Sequence, residues 1–187
     1  MESFDLYETG PMTKRPVLTL GLALGAALTL LTAADAGADA SSGRVAVYSS
    51  RTLALVPGAF SDLHRTPQGV HEHAKLTGVP AGRHVTLVAL VFNRPDRCVG
   101  PGIPNLSTCG PADQTTNAGP AEYVRIVGRT AVAHDDGGAN LQGSFDQDDG
   151  VTNPRGAEVI FSFEIEGCGS GLPCANDLAV HPGDTSG

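Results

Sequence analysis

Residues 158–166 read EVIFSFEIE, and their alternation sets the fold class. Val159, Phe161, Phe163 and Ile165 fall on one side of an extended chain. Glu158, Ser162, Glu164 and Glu166 fall on the other. A period of two with one charged face describes an antiparallel strand that packs on a core and wets its back. A second stretch, Arg83–Phe92 (RHVTLVALVF), is apolar on both faces from Val85 onward, as a central strand must be. Further runs at Arg44–Ser50, Val70–Leu76, Glu122–Ala133, Asn140–Asp146 and Asp177–His181 carry the same signature, and the first stretch extends back to Ala157. Between them stand GVPAG (78–82), DDGG (135–138) and DDGVTNPRG (148–156), sequences rich in turn formers. No convincing helix follows residue 40, and no segment repeats. Six to eight short strands joined by turns predict an all-β protein, an antiparallel β-sandwich with Greek-key-like connections; a barrel is the runner-up.

The N-terminus reads differently. Lys14-Arg15 precede an apolar block, Val17–Leu31 (VLTLGLALGAALTLL), followed by Ala34-Asp35-Ala36 and Ala38-Asp39-Ala40. A basic start, an apolar centre and an A-x-A site predict a secretory signal peptide, a helix removed after Ala36 or Ala40. The block is shorter than the roughly 20 residues of a membrane-spanning helix, and Gly21 and Gly25 weaken it further. Residues 1–11 (MESFDLYETGP) are acidic where a leader is basic, which points to Met12 as the true start. The expected organisation is therefore an extension and leader over 1–40 and one exported domain over 41–187, with no membrane association once the leader is gone.

Composition narrows the function classes. The chain carries a formal net charge of −8, with 20 acidic against 12 basic residues. Such a balance excludes nucleic acid, whose phosphates need a basic face, and disfavours anionic lipid. Tryptophan is absent and aromatic residues are 5% of the chain, so no stacking platform for sugars or bases is expected. The 4 cysteines all follow the leader, where disulfides form. Sequence leaves their connectivity open; local pairing is expected, Cys98 with Cys109 and Cys168 with Cys174, because each pair brackets a Gly/Pro-rich loop. The spacings do not match those of structural zinc sites.

Two motifs carry a resemblance. Phe92-Asn93-Arg94-Pro95 runs into Cys98, and Asn153-Pro154-Arg155-Gly156-Ala157-Glu158 opens the late strand, ahead of Cys168, Cys174 and Leu178–Pro182. Together, over about Val70–Pro182, they resemble an uncharacterised family of secreted bacterial β-sandwich proteins marked by F-N-x-P-x-x-C and N-P-R-G-A-E elements. The chain departs from that pattern at Leu87-Val88-Ala89, where the family has a tryptophan-rich strand. The resemblance implies export and a β-sandwich, and no activity. Read as residues, Pro154 and Gly156 set a turn, Pro95 ends a strand and Arg155 is placed to pair with Glu158.

Two candidate sites follow from residue chemistry. His71 and His73 share one face of a strand. If that strand turned at 78–82 and paired with Arg83–Phe92, His84 would lie diagonal to His73. Three imidazoles, His71, His73 and His84, would then suit zinc or copper, with redox chemistry within reach. Asp146, Asp148 and Asp149 before Gly150 resemble part of a weak calcium loop, without the terminal glutamate of an EF-hand. Asp135 and Asp136 should stand at the far end of the intervening strand. Nucleophilic catalysis has no G-x-S-x-G elbow to support it. The expected function is a secreted, non-catalytic binding or structural module for an extracellular or cell-surface partner; the alternative is a zinc- or copper-binding protein.

Overall fold

Eight strands follow one another in the computed structural model, which describes residues 42–114, 119–168 and 176–183. They are β1 (Gly43–Ser49), β2 (Leu55–Arg65), β3 (Gly69–Leu76), β4 (His84–Phe92), β5 (Tyr123–Val132), β6 (Ala139–Asp146), β7 (Glu158–Ile165) and β8 (Asp177–His181). The expected leader and extension, and Cys174, lie outside the described residues. Among those residues helical backbone is confined to 3-10 turns at Pro95–Arg97 and Pro111–Asp113.

All strands join one antiparallel sheet in the order β5-β4-β7-β8-β1-β2-β3-β6. Its two end strands, β5 and β6, touch each other, so the sheet curls into a nearly closed barrel. The antiparallel all-β class is as expected, and the continuous sheet gives it barrel-like closure. Around the seam the spatial order β3-β6-β5-β4 is a Greek key.

The alternation in Glu158–Glu166 works as read. Val159, Phe161, Phe163 and Ile165 enter the main core with Leu87, Val47 and Leu63. The opposite face of β7 and β8 is not uniformly wet. Ile160, Leu178 and Val180 form a second core with Phe92, Tyr123 and Cys109, roofed by the chain between β4 and β5. That roof explains why β4 is apolar on both sides.

The two motifs bind the roof down. Asn93 Oδ1 accepts the backbone N–H groups of Thr152 and Asn153, and its Nδ2 donates to the carbonyls of Glu122 and Gly150. Asn153 Nδ2 returns a bond to the Asn93 carbonyl at 3.0 Å. Glu158 is wholly buried and accepts the N–H groups of Thr108 and Cys109 at 2.8 and 2.9 Å. The expected Arg155–Glu158 pair is thereby replaced: two backbone donors occupy both oxygens. Burial pushes the Glu158 carboxyl up, and these bonds partly oppose that. Asp113 caps the N–H groups of Val99, Gly100 and Gly110. Burial raises its carboxyl, but the three donors prevail and hold it below the usual range. Cys98 and Cys109 form the expected disulfide. Cys168 is disulfide-bonded as well.

Candidate functional site

The strand alternation that exposes His71 and His73 turns Glu72 inward, between Val70 and Ala74. On β2 the same alternation brings Ser61 and Arg65 inside, and β8 delivers His181. These side chains meet in the barrel interior. Ser61 Oγ donates to Glu72 Oε1 at 2.6 Å and lies 2.7 Å from His181 Nε2. The one hydroxyl thus bridges the carboxyl and the imidazole. Burial drives Glu72 up to about 8 and His181 down to about 4, the latter helped by the nearby Arg65 charge. Both groups are therefore neutral near pH 7. Arg65 donates to the carbonyls of Pro154 and Pro182 at 2.7 and 3.3 Å, and burial lowers it to about 10. Glu72 Oε2 and Arg65 Nε have no hydrogen-bond partner.

This serine, histidine and glutamate do not form a catalytic triad. A triad histidine accepts the serine proton and is oriented by the acid on its other nitrogen. Here the acid meets the serine hydroxyl and not the second nitrogen of the histidine, and all three side chains are buried. The sequence signal for the cluster was present in the β3 alternation, which placed Glu72 among apolar neighbours. Ser61 and Arg65 had no such signal, because β2 was not recognised as a strand.

The three-imidazole site does not assemble. β3 pairs with β2 and β6, and β4 pairs with β5 and β7. The turn at 78–82 carries the chain across the barrel instead of folding it into a hairpin. His84 faces Glu166, with Nδ1 to Oε2 at 3.0 Å. His71 and His73 do share the outer face. His71 Nδ1 lies 2.9 Å from Ser144 Oγ and its ring stacks on His64, while His73 meets Phe60 edge-on. Among the described residues no three His, Cys, Asp or Glu side chains are placed to hold a metal ion.

The calcium candidate is also used internally. Asp146 Oδ1 accepts the N–H groups of Asp148 and Asp149, and Asp149 Oδ2 accepts that of Asp146. The carboxylates thus cap their own turn. Asp135 and Asp136 stand at the other end of β6, as its length requires.

An accessible feature lies at the seam. β5 pairs only with β4, and β6 only with β3, so each keeps a free edge toward the other. Opposite Leu87, β5 carries an extra residue, with Thr86 facing Thr130 and Val88 facing Val127. Such a bulge bends the strand and halts pairing. Beside it opens a groove of about 340 Å³ lined by His71, His73, Arg129, Gln142 and Ser144 among others. A second groove of about 200 Å³ continues along Arg129, Asn140 and Gln142. Inside, the Phe145 ring fills the space over Gly128 and Gly143. No family model matches this chain, and no curated protein matches it.

Proposed function

We propose that this protein is an exported, non-catalytic binding module acting at or outside the cell surface. The observation that carries the reading is the polar surface groove beside the seam, on a barrel whose serine, histidine and glutamate are buried inside. Rigid strands present such a surface with little ordering cost. Export is supported by the leader over Lys14–Leu31 and by the Cys98–Cys109 bond, which persists in oxidising compartments. The resemblance in the Asn93 and Asn153 motifs points the same way. No helix of the described residues is long and apolar enough to cross a membrane. The acidic charge turns the partner away from nucleic acid. The zinc or copper alternative is not carried further, because His84 stands strands away from His71 and His73. Labelled full-length protein should bind saturably to envelopes of cells that export it. Binding that rises linearly with concentration, without saturation, would overturn the module reading.

A further inference from the structure

We propose that His64 and His71 form a two-imidazole site for copper(II) on the outer face of the β2–β3 ladder. The site goes beyond the partner-binding reading and does not depend on it. Curling of the sheet denies His71 the neighbour expected at His84 and supplies another: in the β2–β3 register His64 stands directly opposite His71. Directly opposed residues on one face of an antiparallel pair have Cβ atoms about 5 Å apart. Here the ring centroids are 6.3 Å apart and the ring planes 27° from parallel. A metal–imidazole bond is about 2 Å long, so two ligating nitrogens stand at most about 4 Å apart. Both side chains are exposed, and rotation about their own side-chain bonds brings ring nitrogens to that spacing without moving the strands.

The surroundings set the ligand count and the ion. His71 Nδ1 is 2.9 Å from Ser144 Oγ on β6, the strand on the side away from His64. Its Nε2 is left as the ligating atom. Metal there selects the tautomer in which Nδ1 donates to the serine, the outer-shell contact that ligating histidines make. His64 has no hydrogen-bond partner among the described residues and is free to turn. On the adjoining rung Asp62 is held by Arg44 at 2.9 Å, and His73 meets Phe60 edge-on. Neither supplies a third ligand, in keeping with the absence of any three-ligand group among the described residues. Zinc takes three or four protein ligands. Copper(II) heads the affinity order and accepts imidazoles in a square plane that water completes. Two imidazoles therefore suit copper(II) and fall short for zinc. The net charge of −8 favours a cation over an anion.

The test uses full-length protein without an affinity tag, titrated with copper(II) sulfate and followed by electron paramagnetic resonance and by melting. The tightest-bound copper should show two nitrogen ligands, and the melting temperature should rise with copper by mass action. His64→Gln and His71→Gln should each melt like the parent without metal, lose the two-nitrogen spectrum and lose the copper-induced rise. Ser144→Ala should keep both nitrogens and weaken binding about tenfold, as loss of an outer-shell partner does. His73→Gln and His84→Gln should bind copper as the parent does. Tight copper binding that survives His64→Gln or His71→Gln would overturn the site. So would its loss in His73→Gln or His84→Gln, a parent spectrum with a single nitrogen, or zinc bound as tightly as copper.

Discussion

Glu72 is a carboxylic acid that the fold holds uncharged, and its proton has a cost that grows with pH. Burial raises its folded value to about 8 against 4.5 for the free group. Between those values the folded protein holds a proton that the unfolded chain has released, so stability falls as pH rises through that window. Below about pH 4.5 this penalty is absent, and above about pH 8 it is complete. Glu72→Gln keeps the shape and removes the titration. The variant and parent should melt within a few degrees of each other at pH 5, while at pH 8 the variant should be more stable by on the order of 2–3 kcal/mol. A melting difference that does not change with pH would show that Glu72 is already ionised in the folded state. His181 works in the opposite sense. Its folded value is lowered to about 4, so its contribution is full above the ordinary imidazole range and is lost as pH falls through about 4. The parity of β3 turns Glu72 inward, but the sequence reading singled out only its histidine neighbours. It had no access to Ser61, whose strand contains Pro57 and Gly58 and turns a serine and an arginine inward. Those residues hide the apolar alternation by which strands are recognised.

At the scale of elements, the seam between β5 and β6 is built from small residues on both strands. A Cβ at Gly143 would stand 2.7 Å from Leu87 Cδ2 and 2.8 Å from Phe145 Cζ. Neither separation is tolerated, so Phe145 or Leu87 must move. Gly143→Ala should therefore destabilise the protein by about 1–3 kcal/mol, the range for overpacked cores, read as a lower urea midpoint with unchanged slope. An unchanged midpoint would mean that the seam opens to admit the methyl group. Most strand limits were legible in the sequence within a residue or so, and Asp177–His181 agreed at both ends. The pairing of those strands was not. His71 and His73 lie on one face as their spacing requires, yet their cross-strand neighbours are His64 and Asp62 on one side and Ser144 and Gln142 on the other.

For the whole molecule, the second core depends on a roof that is held by side chains and one covalent bond. The Cys98–Cys109 bridge closes a short loop over Phe92, Tyr123 and Ile160. Chain-entropy reasoning gives such a loop about 3 kcal/mol of stabilisation. Replacing both cysteines by alanine should lower the unfolding free energy by about that amount in urea, with the barrel still folding cooperatively. Retention of parent stability would assign the roof to Asn93, Asp113 and Glu158 alone. Local sequence determined the all-β class, the position of most strands, the turns and the short-range disulfide, because each depends on a period of two, on turn chemistry or on a few neighbouring residues. Tertiary structure alone decided which strands became neighbours, and with that the fate of every candidate site. Ser61 and His181 are 120 residues apart in the chain and meet only because the sheet curls. His84 leaves the histidine face because β4, apolar on both sides, is covered when it sits between β5 and β7 beneath the roof, a burial that pairing with β3 would not supply.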